Sequence, residues 1–155
     1  MGEVLSTDTS ILVADGIVLG CTAVDRRDAI DQVGRQLQAL GAVEPEYVTA
    51  MHQRERSVTT FLGEGVAIPH GTDESRRFVK RTALVALQFP DGVDWGGADV
   101  RLCIGIASKG NEHVGILAGL AVVLLDPGQA RKLREAPDSD TILRMLNHMD
   151  EELSR

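Results

Sequence analysis

Residues 61–72, F-L-G-E-G-V-A-I-P-H-G-T, constrain this chain more tightly than any other stretch. Phe61 and Leu62 form an apolar edge, Gly63 and Gly65 flank Glu64, and Val66, Ala67 and Ile68 make a short apolar run that Pro69 halts. That order reads as strand, tight turn, strand, stop. Pro69 fixes its own φ and pushes Ile68 toward an extended backbone, so the chain leaves the sheet with His70 at the strand's end. Gly71 adds no side chain beside the imidazole. Thr72, followed by Asp73 and Glu74, reads as the cap and acidic first turn of a short helix. Most histidines in a domain are surface residues or hydrogen-bonded fillers. One mounted between a strand end and a helix start, with open space in front, is a candidate for chemistry.

The elements on either side follow from periodicity. Residues 1–10 carry no sustained pattern and read as a loose leader, and the apolar runs at 11–13 and 17–19, separated by Asp15 and Gly16, supply an edge strand. Asp25 reads as a helix cap, with Ile30, Val33, Leu37 and Leu40 at helical spacing and Gly41 placed to end the helix. Pro45 opens a second helix that turns Tyr47, Val48 and Met51 inward and delivers Arg54 and Glu55 at its end. His52 reads as a solvated surface residue. Arg76, Arg77, Lys80 and Arg81 read as a solvated basic face, with a lesser alternative that one of them attracts an anion. Residues 82–89 are apolar enough for a buried strand, which Pro90, Asp91 and Gly92 end; Gly92, Gly96 and Gly97 around Trp95 predict a tight loop.

Residues 102–107 predict another buried strand, after which Asn111 caps a helix and places His113 in its first turn. Free backbone N–H groups and the positive dipole end favour bound anions there. That helix is apolar nearly all round, from Val114 through Leu117, Leu120, Ala121 and Leu124, which predicts central burial. Asp126 and Pro127 open a short helix holding Ala130 and Leu133, and Asp138 or Ser139 opens a last one with Ile142, Leu143, Leu146 and Met149 inward and His148 inert. Strands alternating with helices predict an α/β fold, its mixed sheet largely buried beneath helices. The whole of residues 1–155 reads as one domain with its core at about 17–147.

Composition narrows the functions. Acidic residues number 23 against 16 basic, and the net charge of −7 argues against nucleic acid, which asks for a basic patch to neutralise phosphates. The two cysteines, Cys21 and Cys103, build neither a disulfide framework nor a four-cysteine zinc site, and Cys103 in R-L-C-I-G-I-A reads as a small buried residue. The N-terminus lacks the order of a signal peptide, and the apolar run at 114–125 falls short of the roughly 20 residues a membrane span requires. These features predict a soluble cytoplasmic protein with no direct membrane insertion.

Five motifs, A-I-P-H-G-T at 67–72, R-E at 54–55, T-T-F-L-G-E-G at 59–65, N-E-H at 111–113 and P-x-G-V-x-x-G at 90–96, occur together in family-like order. In them the chain, from about residue 17 to about 146, resembles the mannitol-type enzyme IIA (type 2) of the bacterial phosphoenolpyruvate-dependent sugar phosphotransferase system. The resemblance implies an α/β domain of about five strands flanked by helices. It implies that His70 takes a phosphoryl group from the carrier HPr and passes it to a cysteine of enzyme IIB, separate or part of a IICB membrane component, for uptake of mannitol or a related sugar alcohol. Arg54 would bind phosphoryl oxygens and His113 would stabilise the phosphoryl group without itself being phosphorylated.

The residue types suit that chemistry. An imidazole with an unperturbed pKa of about 6.5 is largely neutral and nucleophilic at neutral pH. Phosphoryl transfer then needs positioning and positive partners more than a strong base, and neither cofactor nor metal. One alternative is a regulatory module of the nitrogen-related type, read by phosphorylation-dependent protein binding. Another is a metal site formed by His70, His113 and Glu64 or Glu112, which the missing H-E-x-x-H spacing weakens.

Overall fold

The computed structural model describes residues 11–110 and 112–153. The leader read at residues 1–10 and the cap read at Asn111 lie outside the described residues, as do the side chains of His113, Val114, Leu117, His148 and Met149. Five strands, β1 (Ile17–Val18), β2 (Phe61–Gly63), β3 (Val66–Ala67), β4 (Ala83–Trp95) and β5 (Ala98–Ala107), form one mixed sheet in the order β1-β4-β5-β3-β2. β1 runs parallel to β4 and β3 parallel to β5, while the β4–β5 and β2–β3 pairs are antiparallel.

Period-two alternation along the strands divides the core between two faces. Ala83, Val85, Leu87 and Phe89 of β4, with Cys103 and Ala107 of β5, pack against Ile30, Val33 and Leu37 of α1 (Arg26–Ala39) and Tyr47 and Met51 of α2 (Glu46–Ser57). Leu84, Ala86, Leu102, Ile104 and Ile106 face the other way, onto α3 (Glu112–Leu124), α4 (Pro127–Arg134) and α5 (Ser139–Leu153). Burial on both faces explains why these strands read as continuous apolar runs. The helix boundaries follow their caps. Asp25 accepts from the Asp28 amide at 2.9 Å, Asp126 from Gly128 at 2.9 Å and Gln129 at 3.2 Å, and Asp138 from Thr141 at 2.9 Å. At the other end of α1, Ala42 N–H reaches Leu37 O and Gly41 N–H reaches Gln38 O, the paired bonds that close a helix C-terminus. Among the described residues no helix is long and apolar enough to cross a membrane.

Three local expectations are corrected. Strand β4 does not stop at Pro90. It passes a register shift between Gln88 and Val93 and continues to Trp95, pairing with Ala98 across Gly96 and Gly97, because a bulge accommodates a proline that a regular ladder would exclude. Secondly, α3 is covered on one side only. Ile116, Leu120 and Leu124 are buried, yet Val122 is 77% exposed and Leu125, just beyond the helix, 53%. The sheet face is shared with α4 and α5, so α3 packs by one stripe. Thirdly, the segment after Thr72 is a 3-10 helix, Asp73–Phe78, whose N-cap side chain makes no capping bond; the Thr72 carbonyl instead accepts from Ser75 N–H and Oγ.

Candidate functional site

The site grows from the β2–β3 hairpin. Glu64 (φ 55°) and Gly65 (φ 75°) make a two-residue turn with both φ positive, the geometry that matches strand twist in a tight hairpin. The turn sets β3 alongside β5, and the register runs on past the proline. Ile106 N–H donates to Pro69 O at 3.0 Å, and His70 bridges Ile106 in parallel register. His70 therefore stands beside the penultimate position of β5. It is 5% exposed, so a reacting group must be delivered into a niche from which bulk water is largely excluded.

The tautomer of His70 follows from one hydrogen bond. Its Nδ1 lies 2.7 Å from the carbonyl oxygen of Ile68. A carbonyl only accepts, so in the neutral ring Nδ1 carries the proton and Nε2 carries the nucleophilic lone pair. Ile68 is itself held, its N–H donating to Thr60 O at 3.0 Å.

Two residues to which the sequence reading assigned no role in the site hold this frame. Tyr47 reaches from α2 to the strand ends. Its hydroxyl accepts from Gly71 N–H at 2.9 Å and donates to Ile106 O at 2.8 Å, so a phenol ties together the two segments flanking His70. Burial pushes its pKa up to about 12 despite the Gly71 bond. A β-carbon on Gly71 would lie 2.6 Å from Tyr47 Cε1 and 2.4 Å from Ser75 Oγ, which is why that position lacks a side chain.

Glu55, 9% exposed, is the second. One carboxylate oxygen accepts from Thr60 N–H at 3.0 Å and from Thr60 Oγ1, and the other accepts from Thr59 Oγ1 and from Trp95 Nε1 at 3.0 Å. Glu55 thus fixes Thr60, which holds Ile68, which orients His70. A signal for it was present: Tyr47, Met51 and Glu55 recur every fourth residue, so Glu55 lies on the inward face of α2, where a carboxylate must be fully hydrogen-bonded.

Arg54 is at the C-terminal end of α2, and its Nη1 donates to Val58 O in the loop leading into β2. One donor is used there, and the rest of the guanidinium fork is left for other acceptors. His113 belongs to the first turn of α3, which opens five residues after β5 ends; His70 and this helix start are therefore brought to the same end of the sheet. His52 is not the solvated residue expected. Its side chain is 13% exposed and Nε2 lies 2.7 Å from Asp31 Oδ1 on α1. Of the basic cluster, Arg76 pairs with Asp73, Arg77 lies over the Phe78 ring and Arg81 donates to Leu40 O, as a largely structural face would. Among the described residues no three His, Cys, Asp or Glu side chains gather as a metal site would require.

Fold and site together define an α/β sheet protein with a candidate nucleophilic histidine, of fixed tautomer, at a strand end. The sequence matches, over residues 10–149, the family described as "Phosphoenolpyruvate-dependent sugar phosphotransferase system, EIIA 2", and the chain belongs to that family. It is 38% identical over 136 residues to the mannitol-specific phosphotransferase enzyme IIA component of Staphylococcus aureus, covering 88% of this chain and 94% of that protein. The crystal structure of IIA mannitol from Escherichia coli superposes with a TM-score of 0.79 at 40% identity, over 86% of this chain and 97% of that one. A solution structure of the Escherichia coli complex of IIA with phosphorylated IIB of the mannitol system matches with a TM-score of 0.81 at 38% identity, over 88% and 96% of the two chains.

Proposed function

We propose that this chain is a phosphocarrier of the phosphoenolpyruvate-dependent sugar phosphotransferase system, taking a phosphoryl group from phospho-HPr onto His70 and passing it to a cysteine of enzyme IIB for uptake of mannitol or a related sugar alcohol. The observation that carries the reading is the Nδ1 contact to the Ile68 carbonyl, which leaves the Nε2 lone pair as the nucleophile on a rigid strand end. In the first transfer that lone pair forms the N–P bond as the N–P bond of phospho-HPr breaks, its electrons returning to the donor histidine. In the second, the IIB thiolate attacks phosphorus and Nε2 recovers its lone pair. Arg54 binds phosphoryl oxygens through its planar fork. His113 donates a hydrogen bond to the charge that spreads over those oxygens in flight.

Relatives named for the mannitol system, one of them studied with phosphorylated IIB, support this reading over a regulatory module. We also read the chain as a single cytoplasmic domain, since the reaction partners of such a carrier are on that side of the membrane.

The test is incubation of the chain with phosphoenolpyruvate, enzyme I and HPr, followed by mass mapping of acid-labile phosphate. Label is expected at His70 alone, and His70→Ala should fold and accept none. Full-yield labelling of that variant, or label at another residue of the native chain, would overturn the assignment.

A further inference from the structure

We propose that a second site, a cleft between α1 and α2, binds a small phosphate-bearing anion independently of the phosphotransfer histidine. The cleft has a volume of about 190 Å³ and is lined by Arg26, Arg27, Ile30, His52, Glu55 and Arg56. Neither His70 nor Ile68, which orients it, lines this cleft.

Charge makes the cleft unusual. Three arginines converge there in a chain whose net charge is −7. The one carboxylate among the lining residues, Glu55, already accepts four hydrogen bonds, from Thr59, Thr60 twice and Trp95, which fills its lone-pair capacity. Its ion pair with Arg26 Nη1, at 3.8 Å, is a loose one, too long for a hydrogen bond. The neighbouring Asp31 carboxylate is engaged by His52 at 2.7 Å. Arg27 and Arg56 have no ion-pair partner among the described residues. Three guanidinium groups against one lining carboxylate leave an excess of positive charge in a concave site, an anion subsite whose planar forks favour the paired oxygens of a phosphate.

Size and lining narrow the ligand further. At this volume the cleft admits a phosphate with a short organic tail, for which Ile30 supplies an apolar wall. The ligand class is therefore inorganic phosphate or a small phosphate monoester.

The molecule contains its own reporter. Its single tryptophan, Trp95, donates through Nε1 to Glu55 at 3.0 Å, so an anion drawing Arg26 away from Glu55 alters the field at the indole. The experiment titrates the unphosphorylated full chain with inorganic phosphate, glycerol phosphate and, at matched ionic strength, chloride, followed by tryptophan fluorescence and calorimetry. Both phosphates should saturate the site and chloride should not. Tighter binding of glycerol phosphate would identify a monoester as the natural class, and equal binding would identify the free ion.

Arg27→Gln and Arg56→Gln should each weaken binding at least about tenfold, as loss of a charge-assisted hydrogen bond does, with unfolding midpoints unchanged at these exposed positions. Arg27→Lys should recover part of that loss by restoring charge without the fork. His70→Ala and Arg54→Gln should bind as the native chain does, which separates this site from the histidine site. A response identical for phosphate and chloride overturns the proposal. So does one abolished by Arg54→Gln but unaffected in the Arg27→Gln, Arg56→Gln double variant.

Discussion

At the scale of single residues, the frame around His70 depends on a side chain outside the proposed phosphoryl-binding set. Tyr47 is the chain's only tyrosine, so its ionisation can be followed directly by ultraviolet absorbance. Burial raises its pKa from 10.0 to about 12, and the unfolded chain therefore loses the phenolic proton first as pH rises. The stability that the buried phenol contributes is complete below pH 10 and falls away as pH climbs through 12. The native protein should show no tyrosinate step near pH 10, and a normal titration there would mean the phenol is solvated. Tyr47→Phe removes a hydroxyl that serves both Gly71 and Ile106, and should cost about 1–3 kcal/mol in urea unfolding. For the residues proposed to bind the phosphoryl group, Arg54→Lys keeps the charge but loses the fork and should slow transfer from HPr. His113→Ala should slow labelling of His70 by on the order of 10²–10³-fold. Wild-type rates in single-turnover transfer would remove either residue from the mechanism.

Helices α1 and α2 meet where Gly34 faces Val48. A β-carbon at position 34 would fall 2.7 Å from Val48 Cγ2. On an exposed helix, Gly→Ala gains up to about 1 kcal/mol, whereas forcing a methyl group into a packed contact costs about 1–3 kcal/mol. Val48 is β-branched and cannot swing aside freely, so the packing cost wins. Gly34→Ala is accordingly expected to lower the urea midpoint, and a raised midpoint would show that the two helices separate easily. The same reasoning bears on function, because α2 carries Tyr47, Arg54 and Glu55 to the sheet. Even a small displacement of α2 should be felt in the transfer rate.

Over the whole molecule, the sheet is sealed on both faces, and its two cysteines report on the seal. Cys21 is half-buried, while Cys103 lies in β5 with no exposed surface and with its thiol pushed by burial well above the usual range. A thiol reagent should therefore label native protein first at Cys21, itself slowed by the partial burial that raises its thiol pKa, with Cys103 reacting only as fast as the sheet opens globally. Sub-denaturing urea should accelerate the second reaction in step with the loss of stability. Equal native rates for the two thiols would show that one face of the sheet opens locally.

Much of this protein was legible in the order of its residues because the governing physics is local. Backbone preferences and caps settle within a few positions, so the hairpin before Pro69, the placement of His70 at a strand end and the helix starts at Asp25, Asp126 and Asp138 could be read from neighbours alone. Pro90 misled for the same reason, since the bulge that accommodates it depends on the partner strand. The one-sided burial of α3 was likewise invisible, because an apolar helix reads the same whether two neighbours cover it or four. The strand order β1-β4-β5-β3-β2, the phenol joining Gly71 to Ile106 and the carboxylate joining Trp95 to Thr60 were decided only in three dimensions. Each joins segments distant along the chain, and such contacts are selected by what the assembled sheet leaves unsatisfied, a quantity no short stretch of sequence contains.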